Sequence, residues 1–260
     1  MSIRGQERWL IKGWVLCWAG LWVGCQTKTQ APVLTIAVSA NFQYVMDSLV
    51  AGFEAETGIT CRTVAGASGN LTAQVREGAP FDVFVSADMR FPQALYAEGL
   101  AADSPRAYAR GRLVLWTLYP DRVKTLSDLR RPDVEHIALA NPETAPYGRA
   151  AVEVLEKQGL MQEVEHKLVF GESVTQASQF VLSQSAEAGF TALSVVLTPQ
   201  MRSKGSWMEV DTAGYSPILQ GVVVLKGTAS QEALARRFQA WLISPGVGRQ
   251  LTRWGYFSIP

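Results

Sequence analysis

The chain has 260 residues, of which 48 % are hydrophobic, 10 % aromatic and 18 % charged, with 24 Lys and Arg against 23 Asp and Glu. That composition excludes a disordered, collagen-like or low-complexity chain, and a net charge of +1 leaves no electrostatic footprint for nucleic acid. Three cysteines cannot build a disulfide framework, and the length is enough for one large core or two small ones.

Arg4, Arg8 and Lys12 precede an apolar stretch from Gly13 to Val23 that ends at Gly24-Cys25. The stretch is too short for a permanent membrane helix. A basic start, a short apolar run and a small residue before the break read as an export signal over residues 1–24. The small residue before Cys25 looks like a bacterial lipobox, which implies cleavage before Cys25 and a lipid on its sulfur. Trp22 stands where such boxes usually carry leucine. Residues 25–32 then form a lipid-anchored tether to a domain outside the cytoplasm, and the chain after residue 24 carries 21 basic and 22 acidic residues. In that location ATP and NAD are poor substrate candidates. Cys61 lies in a predicted strand and reads as a small buried hydrophobe, not a nucleophile.

Beyond the tether, Val33–Val38 is a predicted strand, and Val45, Leu49 and Phe53 recur at helical spacing up to the Gly58 stop. Ile59–Val64 is the next strand, Ser68–Glu77 a helix, and Phe81–Val85 a buried strand. Asp88 can cap a short helix, and Leu95 and Leu100 frame another. Strands are expected at Leu113–Leu118, Ile137–Ala140, Lys167–Phe170, Phe190–Ser194 and Ile218–Leu225. Helices are expected at Leu126–Leu129, Tyr147–Gln158, Val174–Ser185 and Ser230–Leu242, with a further turn reaching Trp254. Short strands alternating with helices indicate an α/β protein with mostly parallel sheets. No internal repeat is visible. The number of units favours two lobes that share the chain discontinuously.

Familiar catalytic arrangements lack support. His136 and His166 have no ligand-like spacing to other metal-binding residues, and both read as surface positions. Gly66-Ala67-Ser68-Gly69 superficially suggests a nucleophile elbow, but the second glycine after the serine and a late histidine are missing. Strand-to-helix junctions do recur, at Val38–Asn41, Gly66–Gly69, Asn141–Gly148 and Phe170–Val174. Each offers backbone N–H groups at a helix start, which bind anions without a fixed positive charge. Every α/β protein has such junctions, so the pattern alone does not decide between a site and ordinary capping.

Six blocks in order carry a resemblance to a known family. They are Ala37–Phe42, Gly66–Leu71, Gly78–Asp88, Ala140–Gly148, Gly171–Gln176 and Tyr215–Val223. The sequence resembles the molybdate- and tungstate-binding proteins of bacterial ABC importers, within the type II periplasmic binding proteins, over about Val33 to Tyr256. The resemblance implies two α/β lobes closing by a hinge on a tetrahedral oxyanion held by neutral donors. It implies a first lobe of residues 33–111 and 220–260 and a second of residues 112–219. It places Asn41, Ser68, Tyr147 and the main chain of Val174 at the ligand, with Ala40, Ser39 and Gly69 as neighbours. Relatives that carry a tyrosine near Ala192 differ from this chain, where Tyr147 is expected to take that role. No cofactor, no directly bound metal and no enzymatic activity are implied; molybdenum is bound as the oxyanion. The implied partners are an inner-membrane permease with its cytoplasmic ATPase, reached by a monomer on a lipid anchor.

Three alternatives stay open at this point. One is a binding protein for sulfate, thiosulfate or another oxyanion. A second is an exported hydrolase using Ser68. A third is a sensor that reports the anion to a receptor.

Overall fold

The computed structural model describes residues 33–259; the export signal, Cys25 and the tether lie outside the described residues. Two five-stranded sheets organise the described residues. The first is built from β1 (Val33–Ser39), β2 (Thr60–Gly66), β3 (Val83–Ser86) and β4 (Arg106–Arg110). The chain then crosses to the second sheet, made of β5 (Leu113–Thr117), β6 (Ile137–Ala140), β7 (Leu168–Gly171), β8 (Ala188–Ala192) and β9 (Ser206–Glu209). It returns as β10 (Leu219–Val224), which completes the first sheet.

The strand orders are β2-β1-β3-β10-β4 and β7-β6-β8-β5-β9, so the two sheets share one plan. In each, three consecutive strands are parallel, and a strand from elsewhere in the chain joins their edge antiparallel. β10 runs antiparallel to β3 and β4, and β5 antiparallel to β8 and β9. The sheets are therefore mixed, not mostly parallel. The reason is connectivity: the parallel strands are joined by helical crossovers, whereas β5 and β10 arrive from the other sheet. Their apolar, doubly buried pattern is the one a parallel strand would show.

Helices cover both faces of each sheet. On one face of the first sheet, Leu34, Ile36 and Val38 pack against Val45, Leu49 and Phe53 of α1 (Gln43–Thr57). Phe238 and Leu242, on the helix Ala229–Leu242, join that layer. On the other face, Ala37, Phe84 and Val223 meet Leu71 and Val75 of α2 (Ser68–Arg76) and Phe91 and Leu95 of α3 (Arg90–Ala97). In the second sheet, Leu115 and Leu139 pack on Ala150, Val154 and Leu155 of α4 (Pro146–Lys157). After the short α5 (Met161–Val164), α6 (Val174–Leu182) sets Ala177 and Val181 against Val114, Trp116 and Ala138, beside α7 (Leu193–Val196).

Most expected elements are present, with instructive shifts; the two helices expected around Asp88 and between Leu95 and Leu100 are one, α3, which ends at Ala97 before Gly99 and Leu100. The edge strands β4 and β9 were not expected. Arg106–Arg110 and Ser206–Glu209 are short, polar at their ends and without β-branched residues, as edges tolerate. Ser194 belongs to α7 and not to the preceding strand. The last turn is a full helix, numbered α9 (Pro245–Arg253) after α8 (Ala229–Leu242), capped by Ser244 with proline at its first position.

Where the chain passes from β4 to β5, the Gly111 N–H donates to the Ile218 carbonyl at 2.9 Å, so the outgoing and returning segments lie side by side. Gly111 is bare of necessity. A Cβ there would stand 2.1 Å from the Tyr147 hydroxyl oxygen.

Candidate functional site

Each junction singled out in the sequence ends a strand and opens a helix. β1 ends at Ser39, and a 3-10 turn, Ala40–Phe42, leads straight into α1. α2 opens after Ala67, α4 after Ala145 with Pro146 at its first position, and α6 after Ser173. Of these four leading residues, Ser173 alone caps with its side chain, accepting from the Gln176 N–H. Alanine is a poor N-cap, at a cost of about 0.5–2 kcal/mol against serine or aspartate. Two alanines at such positions leave the first N–H groups of α2 and α4 without a side-chain acceptor, which is where an external acceptor can bind.

The four helix starts converge on one small cavity. Ser39, Ala40, Asn41 and Ser68 line it from the first sheet, and Tyr147 and Val174 from the second. The cavity is small. No lining residue carries a charge. Among the described residues, no cluster of three His, Cys, Asp or Glu could hold a metal ion.

The donors differ in how they are held. Ser68 Oγ accepts from the Ala87 N–H at 3.0 Å, which keeps its own proton free to donate into the cavity. The hydroxyls of Ser39 and Tyr147 are buried and have no hydrogen-bond partner among the described residues. Such orphans are rare in folded proteins and mark places where a polar ligand belongs. Burial pushes the Tyr147 hydroxyl well above the usual tyrosine range, with Tyr256 and Tyr215 adding to the effect and the nearby amides of Asn41 and Gln220 opposing it. It therefore remains a neutral donor. Asn41 is tied down: its Nδ2 donates to Gln220 Oε1 at 3.0 Å and to the Tyr256 hydroxyl at 2.8 Å.

Contacts also run across the cleft. Ser194 Oγ, from α7, donates to the Asn41 carbonyl at 3.0 Å, and the Tyr256 hydroxyl donates to Ser194 Oγ at 3.0 Å. The Gly69 N–H donates to the Thr144 carbonyl at 2.8 Å. Arg149, on α4, pairs with Asp88, which also accepts from the Phe91 N–H and so caps α3.

Six of the seven residues expected at the ligand thus meet around one cavity: Ser39, Ala40, Asn41, Ser68, Tyr147 and Val174. Gly69 does not line it. Its N–H is spent on Thr144, and a Cβ at this position would lie 2.8 Å from Thr144 Cα, so Gly69 lets the two sides approach. His136 and His166 are exposed, away from the cavity. Cys61 is half-buried in β2, and burial, with Glu54, pushes its thiol up to about 12, which leaves no nucleophilic thiolate at neutral pH. Sequence reasoning missed Gln220, Tyr256, Ser194 and the Asp88–Arg149 pair. Gln220 had a signal, a lone amide inside the apolar run Ile218–Leu225. The others had none, because their partners are distant in sequence.

The sequence profile of the bacterial extracellular solute-binding proteins matches residues 34–257. The chain belongs to that family. Membership makes this solute-binding protein a carrier and not an enzyme. It is 38 % identical over 235 residues to the molybdate-binding protein ModA of Rhodobacter capsulatus, covering 90 % of this chain and 92 % of the relative. It is 39 % identical over 229 residues to the ModA protein of Azotobacter vinelandii, covering 87 % and 90 %. The solved periplasmic molybdate-binding protein of Azotobacter vinelandii superposes with a TM-score of 0.81 at 34 % identity, over 87 % of this chain and 99 % of that one. The two-lobe type II binding-protein fold follows from that likeness.

Proposed function

We propose that this solute-binding protein captures molybdate, and tungstate with it, outside the cytoplasm and delivers it to an ABC importer. One observation carries the reading. Four helix starts and three hydroxyl groups converge on a cavity that no charged residue lines. A dianion leaves water at great cost unless donors replace its hydration shell. Fixed hydroxyl and main-chain donors do so without burying a cation, and hydrogen bonds to a charged group contribute about 1.5–3 kcal/mol each. A handful reaches the roughly −8 kcal/mol of micromolar binding or better. The similarity to proteins named for molybdate binding supports the choice of anion.

In this reading Ser39, Ala40, Asn41 and Ser68 hold the anion from the first lobe, residues 33–111 and 220–260. Tyr147 and Val174 hold it from the second, residues 112–219. Gly69 serves closure. The paired crossings near Gly111 and Ile218 form the hinge, and the anion stabilises the closed form by touching both sides. The monomer is anchored through lipid on Cys25, with residues 25–32 as tether, and the permease and its cytoplasmic ATPase read the closed shape.

Titration calorimetry of residues 26–260 with molybdate, repeated in excess sulfate, tests the assignment. Tight one-to-one binding that sulfate does not displace is the expected result. Saturable sulfate binding without a molybdate response would keep the cleft and overturn the anion.

A further inference from the structure

Gln220 is fully buried in β10, the strand by which the chain returns to the first sheet. Its Nε2 donates to the Ala87 carbonyl at 3.0 Å and to the Ile218 carbonyl at 3.5 Å. Carbonyls only accept, so the Gln220 amide has a single workable orientation. Its Oε1 therefore faces Asn41 and demands a donor, which Asn41 Nδ2 supplies at 3.0 Å. The same nitrogen donates its other proton to the Tyr256 hydroxyl at 2.8 Å. An asparagine side chain has two amide protons, and both are spent inside the first lobe.

This inference rests on the oxyanion reading and adds to it a residue outside the cavity. We propose that Gln220 is a positioning residue that sets the spacing of the first lobe's anion donors. Together with Tyr256 it consumes both Asn41 amide protons, so Asn41 serves the anion through its main chain while its side chain holds the turn in register. The reach of Gln220 extends to the other first-lobe contact. Ala87 accepts from Gln220 with its carbonyl and gives its N–H to Ser68 Oγ at 3.0 Å. One buried amide thus spans Asn41, Ser68 by way of Ala87, and the returning segment at Ile218. Molybdate and sulfate share shape and charge and differ in size, so the distance between fixed donors is what can tell them apart. Gln220 fixes that distance on the first-lobe side. Asn41, Gln220 and Tyr256 all belong to elements of one lobe, so the arrangement exists before the anion arrives.

The test pairs calorimetry with selective 15N-asparagine labelling of the full chain, which has only three asparagines, Asn41, Asn70 and Asn141. The proposal expects the Asn41 side-chain NH2 to be protected from solvent exchange both without anion and with molybdate. Gln220→Met, close in length but unable to hydrogen-bond, removes that protection. It raises the molybdate Kd about tenfold or more, the scale of one buried hydrogen bond to a charged system, and narrows the molybdate-to-sulfate preference. A merely structural role would lower the melting temperature and leave both Kd and preference unchanged, which overturns the proposal. So does an Asn41 NH2 that becomes protected only when molybdate is added, because that makes the side chain a direct donor. If Gln220→Met does not fold, exchange in the unsubstituted protein decides. If the unsubstituted protein ignores molybdate, the anion assignment falls, while Asn41 exchange in anion-free protein still tests the positioning claim.

Discussion

The two sheets follow one strand plan, yet they present unlike walls to the cavity. On the first-sheet side two of the three polar side chains are pinned, Asn41 by Gln220 and Tyr256 and Ser68 Oγ by the Ala87 N–H, while the Ser39 hydroxyl is left without a partner. On the second-sheet side Tyr147 presents a buried hydroxyl without a partner, behind a helix start whose leading residue is alanine. In the proposed function, the Asn41 and Ser68 part of the first wall is held in place before an anion arrives. The second wall, in the same reading, gains its acceptor only when the anion bridges the two walls. Preorganisation lowers the ordering cost of binding, and leaving one wall incomplete makes closure depend on the ligand.

The sharpest way to break this division is at the contact between the walls. Gly69→Ala puts a methyl group 2.8 Å from Thr144 Cα in the closed form, while alanine suits the α2 helix better than glycine. Overpacking of that size predicts about a hundredfold weaker molybdate binding, with at most a small change in the melting temperature of the anion-free protein, where Phe91 Cζ, 3.1 Å from the added methyl, must give way. A marked fall in stability together with binding would deny that the clash is confined to closure.

Ser68→Ala removes a pinned donor of the first wall and leaves the Ala87 N–H unpaired, and about thirtyfold weaker binding is expected from the loss of a bond to a charged acceptor. Tyr147→Phe removes the unpinned donor of the second wall. About a tenfold loss in Kd is expected, with little loss of stability, because the hydroxyl has no internal partner to abandon. Calorimetry with thermal melts on both variants separates the walls: Ser68→Ala should lower both binding and stability, Tyr147→Phe mainly binding.

Smaller still is the ion pair between Asp88 and Arg149, whose side chains are 12 % and 28 % exposed. Double-mutant analysis with Asp88→Asn and Arg149→Gln should show about fivefold coupling in molybdate affinity, the range of a partly exposed pair. Additive effects would mean that the pair does not act across the cleft.

The tyrosines give a pH signature. Burial raises the hydroxyls of Tyr108, Tyr147 and Tyr256 in the folded protein. Above about pH 10, the ordinary tyrosine value, the unfolded chain releases phenolic protons that the folded chain retains. Stability is therefore full below that pH and declines as pH rises through it. Denaturant unfolding followed upward from about pH 9 should show the decline, with a shallower slope in Tyr147→Phe.

Much of this architecture could be read from periodicity. The parallel units β1-α1-β2 and β6-α4-β7 announced themselves by strand and helix spacing with glycine stops. Strand direction did not, because β5 and β10 are buried on both faces and a buried run looks the same in either orientation. The edges β4 and β9 were too short and polar to register. At the site, the positions of Ser68, Tyr147 and Val174 followed from the family resemblance, since helix starts are common to every α/β chain. The alanines before α2 and α4 were the local hint that those starts serve a ligand. The tie between Asn41 and Gln220 spans 179 residues, and no local pattern encodes a contact of that range.

The central claim is that neutral donors from two unlike walls hold the anion together. Diffraction at the molybdenum absorption edge from crystals of the molybdate-loaded protein addresses it directly. The account predicts one anomalous peak enclosed by Ala40, Asn41, Ser68, Tyr147 and Val174, with no Lys or Arg within hydrogen-bonding distance. A peak elsewhere, or one clasped by a cationic side chain such as Arg149, would contradict it.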